Sequence, residues 1–247
     1  MKRFFLIAGL AAVASASQAT GTFVAYWQYG LNGHSSAVKV KLGATSYNVN
    51  AGEFTARRLK DAAGGTSLDL PMSTTNPNYD FIAKTFCVEL TESINVNTNH
   101  THNVVAPLLG ATTQNGGVTF DATRVTALSR LWANASITDS ITAAAFQLVQ
   151  WEITFDGGSL DLTGGSFRNN GTVNAAIIAQ ANTWLGQLGS WTAQRNLVLL
   201  SRAGIQDQIT ALDGLPPTNV VPEPFTMGLG VAAAGAFVRR RLKARSV

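Results

Sequence analysis

The chain has 247 residues, of which 46% are hydrophobic and only 13% charged, and its single cysteine, Cys87, excludes an intramolecular disulfide framework. The formal charge of +4 does not describe the body. Seven of the 18 basic residues (Lys2, Arg3, Arg239, Arg240, Arg241, Lys243 and Arg245) and one of the 14 acidic residues (Glu223) lie in the terminal segments, which leaves 11 basic against 13 acidic, a body near −2, and no basic face for nucleic acid.

Residues 1–19 read as a signal peptide. Lys2 and Arg3 form a positive head, Phe4 to Val13 an apolar run, and Ser17-Gln18-Ala19 puts small residues where a signal peptidase inspects, with Ala14-Ser15-Ala16 as a second such place. The run is short for a bilayer span, which predicts cleavage and export.

Residues 20–215 form the body, long enough for one domain with a real core or two small ones. Phe23-Val24-Ala25-Tyr26-Trp27 and Ala37-Val38-Lys39-Val40-Lys41-Leu42 alternate as strands do, with turns predicted at Asn32-Gly33 and Gly64-Gly65. Asp80 to Val96 alternates around Phe86, Val88 and Leu90 and predicts one or two strands carrying Cys87. Val125, Leu128, Leu131 and Trp132 then fall at helical spacing. A second helix is predicted over Ser140 to Ile153, capped by Thr138 or Asp139, and a third over Val173 to Leu188. Strands return at Asn196 to Leu200 and Gln208 to Leu212. There is no internal repeat. The order predicts an α+β domain: a β-sandwich or open β-barrel with an inserted helical subdomain.

Residues 216–221 are a linker, and residues 222–247 a three-part tail that ends in a single hydrophobic helix and its basic cap. Val221-Pro222-Glu223-Pro224 is stiff and extended, because each proline fixes its own backbone and restricts the residue before it. Phe225 to Val238 is uncharged, apolar and rich in Gly and Ala; Arg239-Arg240-Arg241 and the residues after it are basic. The positive-inside rule keeps such an end cytoplasmic and the body outside the inner membrane.

This tail resembles the PEP-CTERM sorting signal of Gram-negative bacteria. The resemblance implies recognition of Pro222, Glu223, Pro224, Arg239, Arg240 and Arg241 by an exosortase. It also implies temporary anchoring in the inner membrane by the C-terminal helix, then delivery to the cell surface or an extracellular polysaccharide matrix.

Two body segments stand out: Thr85-Phe86-Cys87-Val88-Glu89-Leu90 and Ala144-Ala145-Phe146-Gln147-Leu148-Val149-Gln150-Trp151-Glu152-Ile153. Gln147 and Trp151, four apart, share a helix face. From residues alone, Cys87 reads first as a small buried hydrophobe and Gln147 as a hydrogen-bonded amide. Together the segments resemble the bacterial thioester domain of surface adhesins, in which a strand cysteine joins the glutamine of a Gln-x-x-x-Trp helix. Val149-Gln150 stands where that family often has Ala-Ile. The resemblance runs from about Thr85 to Gln208. It implies a Cys87–Gln147 crosslink, covered by Phe86, Phe146 and Trp151, that captures an amine-bearing surface or matrix polymer. The alternative is a non-covalent structural protein of the biofilm matrix.

Other candidates are weaker. His100 and His102 could share a strand side, but no third ligand has useful spacing, and a solvated polar loop is the better reading. His34 stands alone beside a turn. Glu89 with Glu92, and Asp156 with Asp161, read as surface charge or turn caps rather than a glycosidase pair. Asn134-Ala135-Ser136 and Asn99-His100-Thr101 fit a glycan acceptor pattern of little weight in a bacterial chain. No cofactor loop, metal set or convergent acid, base and nucleophile is found, so the chain is not expected to be an enzyme.

Overall fold

The computed structural model describes residues 23–59, 79–115, 117–157, 160–172 and 174–211. The predicted signal peptide, the Gly64-Gly65 turn, the linker and the whole sorting tail with its helix lie outside the described residues. Seven strands and three helices follow in the order β1 (Phe23–Leu42), β2 (Thr45–Leu59), β3 (Tyr79–Cys87), β4 (Asn99–Val105), α1 (Ala122–Asn134), α2 (Ser140–Asp156), β5 (Phe167–Asn169), α3 (Ala175–Gln187), β6 (Leu197–Arg202) and β7 (Ile205–Ala211). The strands form one antiparallel sheet and the fold is α+β.

The alternation in β1 has its expected consequence: Val38 and Val40 are buried and Lys39 is exposed. The hairpin to β2 turns at Gly43, whose φ of 57° suits glycine. No turn forms at Asn32-Gly33. β1 runs straight through, and the β1–β2 register shifts between Leu31 and Ser35, so this Asn-Gly pair sits in a bulge. Gly52 lies opposite, and a Cβ there would collide with the His34 carbonyl and the Ser35 backbone.

The length of β1 lets it serve three neighbours. Phe23–Gln28 pairs with β4, Trp27–Leu42 with β2, and Val40–Leu42 with β5. From β2 the pairing continues to β3, β7, β6 and β4, then returns to β1.

The helices are capped by short polar side chains. Asp121 accepts from Arg124 N–H, Asp139 and Thr142 form a reciprocal capping box, and Asn174 accepts from Ala176 N–H. Every residue of α2 from Ala143 to Thr154 is buried, because it lies among β1, β2, β5, α1 and α3. A helix buried all round has no solvent face to fill, so its few polar side chains need partners inside the protein. Its large residues, with Phe86, Phe120, Leu128, Leu131 and Phe167, form the core, where each large apolar side chain contributes about 1.5–3 kcal/mol.

Two further expectations are corrected. The strand carrying Cys87 stops there: Val88 to Val96 is a loop, anchored by Val88 N–H to the Asp207 carbonyl (2.9 Å), Gln206 Nε2 to the Glu89 carbonyl (2.8 Å) and Gln206 N–H to the Ser93 carbonyl (3.3 Å). His100 and His102 are not in a solvated loop. They lie in β4, both buried, because β4 fills the slot between β1 and β6.

Candidate functional site

The site forms where the end of β3 meets the middle of α2. Pairing of β3 with β2 ends at Thr85, whereas pairing with β7 runs on to Cys87 opposite Gln208. Val88 N–H donates to the Asp207 carbonyl, so the ladder bonds to β7 flank Cys87, and the Cys87 amide and carbonyl turn away from β7 toward α2. Two carboxamides from α2 meet them. Cys87 N–H donates to Gln147 Oε1 (3.1 Å), and Gln147 Nε2 donates back to the Cys87 carbonyl (2.7 Å). Gln150, one turn on, donates from Nε2 to the same carbonyl (3.1 Å) and to that of Phe86 (3.3 Å).

The Cys87 thiol donates to Gln147 Oε1 across 3.2 Å. The amide carbon is bonded directly to that oxygen, so the sulfur lies against the group that the sequence pairs with it. Gln147 is fully buried and Cys87 3% exposed. Burial pushes the thiol pKa up to about 12; its own backbone contact pulls it down, and the nearby Glu89 adds a smaller rise. The thiol is therefore protonated at neutral pH.

The rings next in sequence to Cys87 and Gln147 pack together. The Phe86 and Phe146 rings lie 4.3 Å apart, and Trp132 meets both edge-on, at 5.6 and 5.2 Å. Trp184 of α3 meets Phe146 edge-on at 6.4 Å. Of the three expected cover residues, Phe86 and Phe146 come together. Trp151 has a different ring partner, Phe167 of β5, at 6.0 Å.

Two participants escaped the sequence reading. Trp132 belongs to the apolar stripe of α1, yet its indole N–H donates to Gln150 Oε1 (3.1 Å). Gln150 therefore has both ends of its amide engaged. The available signal was spacing: Gln150 is three residues from Gln147 and shares its face.

The remaining candidates divide. Glu89 is buried rather than a surface charge, and it accepts from Asn115 N–H (3.1 Å) and Asp207 N–H (3.4 Å). Asp207 is fully buried and accepts from the backbone of Gln114 and Arg202 and from the Ser201 hydroxyl. Burial pushes its carboxyl up to about 6, although bonds from Gln114 and others pull it down, while Glu89 adds to the rise. These groups tie the 88–96 and 113–115 segments to β7. Burial pushes His102 down to about 3, with His100 and Arg202 acting in the same direction.

Asp156 and Asp161 do cap turns: Asp156 accepts from Ser166 and Phe167 N–H, and Asp161 from the Thr163 amide and hydroxyl. Gly165, with φ of 77°, leaves no room for a Cβ beside Asp156. Glu152 accepts from Asp161 N–H (2.8 Å), and burial lifts its pKa to about 7. Among the described residues no set of three or more His, Cys, Asp or Glu side chains is arranged to hold a metal ion, and no helix is long and apolar enough to cross a membrane. Pro222, Glu223, Pro224, Arg239, Arg240 and Arg241 lie outside the described residues.

Comparison of the chain with family models, with curated proteins and with solved structures returns no match.

Proposed function

We propose that this is an exported protein of a Gram-negative cell surface or matrix, sorted by an exosortase through its tail, which attaches to amine-bearing partners through an internal Cys87–Gln147 thioester. The closed circuit of strand pairings is read as its barrel-like body, and α1 to α3 as the inserted helical subdomain. The observation that carries the reading is the reciprocal clamp: sulfur on Oε1 at 3.2 Å, with the same carboxamide held at both ends by the Cys87 main chain.

The clamp supplies what the reaction needs. Sulfur adds to the amide carbon of Gln147, the C–N bond breaks, and the thiol proton leaves with the nitrogen as ammonia. Amides resist such attack, but groups held as neighbours can gain effective molarities of about 10⁵ M or more. Cys87 N–H already donates to Oε1, where negative charge develops in the addition step. No external base is required, because the proton lost by sulfur is the one gained by the leaving nitrogen.

The product is an acyl group poised for amines. An incoming amine forms an amide to Gln147 and returns the proton to sulfur, regenerating the Cys87 thiol. The same burial that raises the thiol pKa makes sulfur a poor leaving group and keeps water away. Capture therefore proceeds from a state in which the aromatic cover has opened. The second reading is a non-covalent matrix protein, favoured by the complete burial of an amide whose oxygen and nitrogen already have partners.

Intact mass of the mature protein separates the two. The thioester predicts a mass lower than calculated by one ammonia, replaced by one methylamine on treatment with that amine. An unshifted mass in the wild type, matching Cys87→Ala after correction for the substitution, contradicts it.

A further inference from the structure

The Cys87 carbonyl has two donors, Gln147 Nε2 at 2.7 Å and Gln150 Nε2 at 3.1 Å. Thioester formation removes one of them, because the nitrogen that leaves as ammonia is Gln147 Nε2. A buried carbonyl without a donor is costly. Gln150 is the group that remains. It is fully buried, and the Trp132 indole N–H holds its oxygen at 3.1 Å, which fixes the amide with its nitrogen toward Cys87.

We propose that Gln150, oriented by Trp132, is a positioning residue for the crosslink: it keeps the Cys87 carbonyl satisfied after ammonia has gone, and so holds the equilibrium on the thioester side. This rests on the thioester reading. It explains why an amide stands at a helix position facing apolar rings. An aliphatic side chain there would fit the packing but would leave the Cys87 carbonyl dependent on the atom that the reaction expels.

The equilibrium is open to measurement. Thiol and carboxamide on one side balance thioester and ammonia on the other, so added ammonium chloride at fixed pH drives the crosslink back. Gln150→Met keeps the volume and removes the donor. It also orphans the Trp132 indole and weakens the hold on the Phe86 carbonyl, but does so equally in both states. Only the loss at the Cys87 carbonyl differs between them. The ammonium chloride concentration that half-reverses the crosslink, read by intact mass, is expected to fall about ten-fold in Gln150→Met, the scale of one buried acceptor left without a donor. Trp132→Phe keeps a ring, frees the Gln150 amide to rotate, and is expected to lower the midpoint in the same direction by less.

A merely structural Gln150 lowers overall stability without moving this midpoint. An unchanged midpoint in Gln150→Met overturns the proposal while the thioester stands. Should Gln150→Met fail to fold, the Trp132→Phe midpoint decides, and no shift there overturns it equally. Wild-type protein that retains its ammonia overturns the thioester reading itself and this proposal with it, a result distinct because it appears before any ammonium chloride is added.

Discussion

The first half of the α2 segment 147–156 buries two carboxamides against the end of β3; the second half sets two carboxylates against the segment 161–167. Both halves use side chains from one helix to satisfy main-chain groups of a neighbouring segment. They differ in what the side chain can become. A carboxamide bonds to both amide and carbonyl groups without charge, so it can sit among Phe86, Phe146 and Trp132 at every pH and can exchange its nitrogen for sulfur. A carboxylate accepts only, and in burial it titrates: Glu152 rises from 4.5 to about 7, with burial as the main cause. One half is therefore suited to bond exchange in a dry site and the other to tying a turn.

Breaking this contrast starts with the amides. Cys87→Ala or Gln147→Met is expected to abolish the ammonia loss completely, whereas Asp156→Ala leaves it intact; intact mass reads both. Phe146→Ala removes a ring packed against Phe86, Trp132 and Trp184. It should cost about 3–5 kcal/mol in urea denaturation, and faster hydrolysis of the crosslink should follow. Asp156→Ala releases the Ser166 and Phe167 amides and should cost about 1–2 kcal/mol by the same measurement.

The carboxylate half should also show in pH dependence. The folded pKa of Glu152 lies above its unfolded value, so its contribution is fully present below 4.5 and is lost as pH rises through about 7. Glu152→Gln is expected to flatten the fall in denaturation midpoint between about pH 5 and about pH 8. His102 acts in the other direction. Its folded pKa of about 3 lies below 6.5, so it lowers stability progressively as pH drops below 6.5. The smallest effect belongs to the shared N-terminus of the helix, where Asp139→Ala removes half of a capping box and should cost about 1 kcal/mol without touching the mass.

The helix that carries both halves was legible because its signals are local. Asp139 and Thr142 mark its start, and the run from Ala143 to Ile153 has no breaker. The strand through Phe86 and Cys87 was legible from alternation, and Gln147 from its place on a helical face. What escaped depends on partners distant in sequence. β4, written Asn-His-Thr-His-Asn-Val-Val, lacks the apolar alternation of a strand; it is one because β1 and β6 accept it on either side. The polar run Gln206-Asp207-Gln208 looks like solvent-facing strand, yet each is buried, since Thr85, Glu89 and Ser201 reach it from other elements. Asn32-Gly33 signals positive φ but not whether the chain will reverse or bulge. Trp151 shares a face with Gln147, but β5 claims its ring.

A high-resolution crystal structure of the secreted protein tests the Cys87–Gln147 pair most directly. Continuous density from sulfur to the Gln147 side-chain carbon, with the nitrogen gone and Gln150 still on the Cys87 carbonyl, is the predicted result. Separate thiol and intact carboxamide, in protein never exposed to amines, would contradict it.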